Sequence, residues 1–287
     1  MESRFVRFLV KSGTVVALLF LYIPLVILGL YAFNKSITRA WPPDLWTTKW
    51  FSVAWNDPDL RPALIGSLQA AVGATIIALL LGSLAAFAVH RFRFFGRESI
   101  SFLLVLPIAL PGIVTAIALS SAINFGNDLF GLTFSIWTII IGHATFCIVV
   151  VFNNVIARLR RTPTSLVEAS MDLGADGWQT FRHVTFPAIS TALVAGALLA
   201  FGLSFDEIVV TNFTAGTKLT LPIWIFNNIR TPLKQPIVNV VALVVMILSV
   251  IPVYFALRLT GGGQAVGATG GAASGTSIAA FEEAGPG

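Results

Sequence analysis

The sequence predicts an all-α membrane protein with six transmembrane helices, and three observations support this. The first is composition. Of 287 residues, 56% are hydrophobic and 11% charged, with a mean hydropathy of +0.87; soluble domains carry about 25% charged residues. The second is the set of apolar runs at about 14–33, 63–89, 99–123, 133–157, 188–212 and 236–258. Each is long enough for a tilted helix across a ~30 Å hydrocarbon core. The third is positive charge, which concentrates in alternate connections.

The first run follows Arg4, Arg7 and Lys11, as the core of a secretory leader would. Tyr22, Pro24 and the Tyr31-Ala32-Phe33-Asn34 segment supply no small-residue cleavage site. Residues 1–13 are therefore expected to be a cytoplasmic N-terminus and the run a retained span. Topology follows from the cations. Arg4, Arg7, Lys11, Arg91, Arg93, Arg97, Arg158, Arg160, Arg161, Arg182 and Arg258 fall on one side, 11 of the 18. Lys35, Arg39, Lys49, Arg61, Lys218, Arg230 and Lys234 fall on the other. The richer side is cytoplasmic, which places both termini and the 158–187 loop there. The net charge of +5 then belongs to membrane topology and not to a nucleic-acid surface. The single Cys147 excludes a disulfide framework.

The segment 34–62 carries Trp41, Trp46, Trp50, Trp55, Pro42 and Pro43. It reads either as an interfacial aromatic belt or as an external surface that meets a partner. Gly66, Gly73 and Gly82 give the second span a small-residue face suited to close packing. Pro107, Pro111 and Gly112 interrupt the third span, as a packing kink or as a bend lining a pathway. His143 has no Cys, Asp or Glu at ligand spacing, so it reads as an interhelical hydrogen bonder and not a metal ligand. Asn153 and Asn154 read the same way.

Asp206 and Glu207 lie inside the fifth run. Intramembrane carboxylates are costly and face a cavity or a partner. Neighbours on a helix point about 100° apart, so at most one of the two faces a pore. Ser204 and Thr211, three before and four after Glu207, would share its face. A cationic substrate path and a structural acid are both open readings. The tail at 259–287, rich in Gly, Ala, Ser and Thr, is expected to be disordered, including Phe281-Glu282-Glu283.

The loop at 158–187 is more structured than a connection requires. Thr162-Pro163-Thr164 stops the fourth span. Ser165 and Glu168 have capping-box spacing and predict a helix of about two turns. Gly174 suits a left-handed helix end. Asp176 and Gln179 repeat the box and start a second helix through Trp178, Phe181 and Val184. Pro187 then opens the fifth span. Leu166, Val167, Met171, Leu173, Trp178 and Phe181 are apolar anchors on this helix–turn–helix. Together they suggest a docking surface for a soluble partner.

Glu168-Ala169-Ser170, Gly174 and the Val184, Phe186 and Pro187 that follow resemble the EAA motif of ABC importer permeases. That motif is Glu-Ala-Ala, then Gly, then Ile-x-Leu-Pro; Ser170, Val184 and Phe186 depart from it conservatively. Arg91-Phe92-Arg93, Gly142-His143-Ala144-Thr145-Phe146, Asp172-Leu173-Gly174-Ala175 and Leu203-Ser204-Phe205-Asp206-Glu207 are similar to the spermidine/putrescine-type permeases, in particular their C-type subunit. The likeness extends over residues 10–258.

This resemblance implies a type I ABC importer (MetI-like) fold, with 14–258 as the permease domain. It implies ATPase coupling through Glu168, Ala169, Ser170, Asp172, Gly174 and Pro187. It adds Trp50 to Asp206, Glu207 and Ser204 as residues of a polyamine path. The partners it implies are a cytoplasmic ABC ATPase dimer, a second permease subunit and a periplasmic solute-binding protein, in membrane lipid. The chain has no G-x-x-x-x-G-K-[ST] sequence, so ATP would be hydrolysed by a partner, and no cofactor is expected.

Three alternatives stand beside this one. An importer of a phosphonate, metal chelate or anion would use Arg, Lys or helix N-termini near the midplane, whereas the midspan charges here are acidic. A secondary transporter would show matching breaks in two halves, and only the third span looks broken. A scaffold without transport gives no reason for intramembrane acids.

Overall fold

The computed structural model describes residues 4–37, 40–44, 46–92, 95–97, 99, 102 and 110–259, and beyond residue 250 the side chain of Tyr254 alone. Arg39, Arg93, Pro107, the Arg258 side chain and the tail from 260 lie outside the described residues.

Among the described residues the chain is helical, with one isolated bridge between Asn34 and Trp46. The helices are α1 (Arg4–Ala32), α2 (Lys49–Trp55), α3 (Leu60–Arg91), α4 (Gly112–Phe130), α5 (Ile136–Arg161) and α6 (Thr164–Asp172). They continue as α7 (Gly177–Thr180), α8 (Phe186–Phe205), α9 (Val209–Thr214), α10 (Leu221–Asn228) and α11 (Gln235–Leu259). Among the described residues, six stretches are long and apolar enough to cross a membrane: Arg4–Ala32, Leu60–Arg91, Gly112–Phe130, Ile136–Arg161, Gly177–Phe205 and Pro232–Val250. The fourth is the central one, with 61% of its apolar window buried, against 6% for the first.

α3, α5 and α8 pack around Ala74, Ala78, Cys147, Val151, Val155 and Ala200. Small residues on α3 set the spacing. A Cβ at Gly82 would lie 2.8 Å from the Ile148 carbonyl and 3.0 Å from Val151 Cβ, and one at Gly73 2.7 Å from Ile140 Cδ1. A Cβ at Gly66 would strike the Leu219 carbonyl. The small-residue face is therefore a packing face, since close approach is what binds helices whose surroundings are as apolar as their side chains. A second cluster joins the end of α1 to α2, α10 and α11 through Ala32, Trp50, Trp224 and Val241. The rest of α1 is exposed, with Phe20 at 80%.

The fifth span differs from its expected 188–212. Its helix begins at Gly177, runs through a π turn at Phe181–Thr185, and stops at Phe205. Asp206 is the residue after the helix, so neither acid sits mid-helix and the 100° argument does not apply to them. Pro187 does not open an isolated helix either. It sits nearly three turns inside a continuous one that starts at Gly177, where its ring would meet the carbonyl of the preceding turn. The wider π turn, closed by Phe186 N–H on the Phe181 carbonyl, absorbs it.

Candidate functional site

Two places carry the polar chemistry: the loop between α5 and α8, and the break between α8 and α9.

The first loop helix does not start with the Ser165–Glu168 box. The Pro163 carbonyl accepts the Leu166 amide at 3.3 Å, so the helix begins at Thr164 and no side chain caps it. Its end is a Schellman turn: Ala175 N–H donates to the Ser170 carbonyl at 3.1 Å and Gly174 N–H to the Met171 carbonyl at 2.9 Å. Gly174 has φ +88°, a region open to glycine. The second box forms as the sequence predicts. Asp176 Oδ1 accepts from Gln179 N–H at 2.8 Å, and Gln179 Oε1 accepts from Asp176 N–H at 3.0 Å. The Ser170 and Thr180 hydroxyls then join the two helices at 2.9 Å.

Phe181 ties the loop to the bundle. Its ring stacks on Trp178 at 5.7 Å and meets Phe87 of α3 edge-on at 5.8 Å. Arg158 Nε donates to the Ala188 carbonyl at 2.7 Å and binds the end of α5 to the start of α8. Glu168, Ala169, Asp172 and Pro187 remain exposed, as do Leu166, Met171, Leu173 and Trp178; Leu173 is 90% exposed. The loop is thus internally fixed yet turns an apolar face with an acid, Glu168, to the outside.

At the break, His143 of α5 is buried between two hydroxyls. Its Nδ1 lies 2.7 Å from Ser204 Oγ and its Nε2 2.8 Å from Thr211 Oγ1. Thr211 Oγ1 also donates to the Glu207 carbonyl at 2.7 Å. The Glu207 carboxylate accepts from the Val210 amide at 2.9 Å and so caps α9. Glu207 is half-buried and Asp206 exposed. Ser204 and Thr211, at 2% and 0% exposure, share a histidine and not a pore face with Glu207. His143 is the interhelical bonder that its isolation predicts. Asn154 is not: its amide donates to the Val150 carbonyl of its own helix at 2.8 Å, and Asn153 is exposed.

Trp50 is also placed differently. It is 8% exposed, its Nε1 donates to the Asn34 carbonyl at 2.7 Å, and Lys49 Nζ lies 5.5 Å from its ring. It is thus a packed strut between α1 and α2, while Trp41, Trp46 and Trp55 are the exposed indoles of the 34–62 segment. Close by, the buried Asp57 pairs with Lys234, joining the α2–α3 turn to the start of α11. Among the described residues, no three His, Cys, Asp or Glu side chains are grouped to hold a metal ion.

Residues 78–260 match the model of the binding-protein-dependent transport system inner membrane component family. The chain belongs to that family. The permease is 34% identical over 248 residues to the spermidine/putrescine transport system permease protein PotC of Escherichia coli (strain K12), covering 85% of this chain and 91% of that protein. It is 35% identical over 237 residues to the putrescine transport system permease protein PotI of the same organism, covering 79% and 82%. Its fold is shared with a subunit of a bacterial alginate ABC transporter solved with its alginate pentasaccharide-bound periplasmic protein. The TM-score is 0.70 at 16% identity, over 90% of this chain and 96% of that one.

The permease is therefore a multi-pass inner-membrane protein, and the matched region contains both the loop and the break. Membership answers the secondary-transporter alternative; the fifth span ends at Phe205, and Asp206 opens the gap between α8 and α9. Sequence reasoning missed what makes that break, namely the partners of His143. The one signal was His143 itself, a lone polar ring in an apolar run.

Proposed function

We propose that this permease carries polyamines inward as one of two permease subunits of an ATP-powered importer. The observation that carries the substrate class is the similarity to two polyamine permeases over most of the chain, at 34% and 35% identity. The chemistry of the break agrees with it. A polyamine is cationic at neutral pH, and carboxylates at membrane depth suit a cation. Asp206 is exposed at the break and Glu207 half-buried beside it.

On this reading both termini and the loop at 158–187 face the cytoplasm, in keeping with the excess of arginine on that side. The exposed Leu166, Met171, Leu173 and Trp178, with Glu168, dock into a cytoplasmic ATPase subunit, which hydrolyses the ATP. A periplasmic solute-binding protein delivers the amine to the opposite face, and lipid covers α1. Docking of the binding protein and ATP binding turn the pore from inward- to outward-facing, and the loop transmits that motion. Because α7, the π turn and α8 form one helix, a push on Trp178 moves the whole fifth span up to Asp206.

The test is uptake of labelled spermidine and putrescine by cells that lack their own polyamine importers and express this chain with its partner subunits. Uptake competed by either amine is expected. Uptake indifferent to amines but competed by a phosphonate or another anion would overturn the assignment.

A further inference from the structure

The sequence from 188 to 205 is apolar. Glu207 binds the first turn of α9 locally, and the group that bridges the two sides of the break comes from α5. Thr211 has one hydroxyl proton, which goes to the Glu207 carbonyl at 2.7 Å, so its oxygen is left to accept from His143 Nε2 at 2.8 Å. Nδ1 is then the acceptor, and Ser204 Oγ donates to it at 2.7 Å. A helical serine ordinarily turns its proton back to the carbonyl four residues before. Here that carbonyl, Ala200, receives Cys147 Sγ at 3.4 Å, and the Ser204 proton serves the imidazole. One proton order, Ser204 to His143 to Thr211 to Glu207, satisfies every group.

The same face of α5 receives the rest of α9. A Cβ at Gly142 would lie 3.1 Å from Val210 Cγ1 and 3.5 Å from Thr214 Cγ2, so only glycine lets α9 come this close unhindered. Thr138 Oγ1 reaches the Thr214 carbonyl at 2.8 Å. Thr138, Gly142 and His143 thus grip α9 along its length. One imidazole ring sets the separation between Ser204, at the end of α8, and Thr211, inside α9.

We propose that His143, held with its proton on Nε2 between Ser204 and Thr211, is a positioning residue that sets the α8–α9 break and, through it, the carboxylates of Asp206 and Glu207. This rests on the reading of the break as part of the amine path. His143 does not touch the amine; it fixes where the acids stand.

The two arms can be separated in the assembled transporter, reconstituted in liposomes and assayed with labelled spermidine. An asparagine amide falls near the Nδ1 position and keeps the Ser204 arm alone. A glutamine amide reaches the Nε2 position and keeps the Thr211 arm. His143→Asn is expected to raise KM about tenfold, the scale of one buried hydrogen bond, with little change in maximal rate. His143→Gln keeps the arm that leads through Thr211 to the Glu207 carbonyl and is therefore expected to recover most of that affinity. Equal loss in both variants, falling on maximal rate, would mean a packing role and overturn the proposal. Independently of transport, ¹⁵N NMR of the imidazoles, with the His143→Asn spectrum giving the assignment, is expected to find His143 neutral and protonated on Nε2; a proton on Nδ1 overturns it. Unchanged uptake in both Asp206→Asn and Glu207→Gln would instead sink the path reading, and the tautomer would still test the clamp.

Discussion

The hydroxyls of Ser170 and Thr180 meet at 2.9 Å across the turn made by Gly174. Thr180 is 3% exposed and Ser170 half-buried, so this bond is partly sheltered beneath the loop. An alanine at 170 would leave the Thr180 hydroxyl without it. Ser170→Ala is expected to loosen the two loop helices by about 1 kcal/mol, the net worth of one such bond, and to lower coupling without abolishing it. Faster hydrogen exchange at 164–180 with partial uptake is the expected result; unchanged exchange would show that the bond holds nothing.

Gly174 is the point where the loop reverses, and its φ of +88° excludes proline, whose ring fixes φ near −65°. Gly174→Pro also removes the N–H that bonds the Met171 carbonyl. Gly174→Ala keeps that bond and costs about 1–2 kcal/mol of backbone strain. Glu168→Lys reverses the charge of the exposed face and disturbs no bond inside the loop. Gly174→Pro and Glu168→Lys are both expected to abolish uptake while the protein stays in the membrane at normal level, with Gly174→Ala intermediate. Normal uptake by either abolishing variant would separate this loop from energy coupling.

What was legible in the sequence was what local spacing decides. Span number follows from apolar length, and the Asp176–Gln179 cap from a three-residue spacing that needs no distant partner. The Ser165–Glu168 spacing satisfied the same rule and failed, because Pro163 starts that helix earlier and leaves Ser165 already inside the first turn. The end of α8 was illegible for the opposite reason. Its run is apolar through 205 and resumes at 208, and its break is held by a histidine 61 and 68 residues away from its two partners. Trp50 had a belt residue's sequence context, but the Asn34 carbonyl claims its indole. No pattern of the chain relates Asp57 to Lys234, 177 residues on.

The glycine contacts predict an order of tolerance. At Gly82 an added methyl meets backbone, the Ile148 carbonyl at 2.8 Å, which cannot rotate away, while at Gly112 it meets nothing within 4 Å among the described residues. Gly82→Ala is expected to destabilise the α3–α5 pair by about 1–3 kcal/mol, the cost of overpacking. Gly112→Ala is expected to be neutral or slightly stabilising, since it lies in the first turn of α4 and alanine is the better helix former. Thermal unfolding of the two variants in the same detergent ranks them, and an equal Tm would refute the packing assigned to Gly82.

The Asp57–Lys234 pair predicts a pH range. Burial pushes the Asp57 carboxyl up, but the hydrogen bond and charge of Lys234 and the amides of Asp59 and Leu60 hold it, on balance, below the ordinary aspartate value. A carboxyl lowered in the folded state contributes stability that is present above its unfolded value, about 3.9, and lost as pH falls through the lower folded one. The tether is therefore expected to hold unchanged from pH 5 to pH 8 and to weaken only in strong acid. Lys234→Met leaves a buried carboxylate unpaired. Because Lys234 is itself about a third exposed, the cost is expected to be about 1–2 kcal/mol and not that of a fully buried pair. Asp57→Asn keeps an oxygen for the Asp59 amide, bonded at 3.1 Å, and is expected to cost less. Protease nicking of the segment before α3 reads both variants at neutral pH. If Asp57→Asn opens that segment more than Lys234→Met does, the charge on Asp57 is not what holds it.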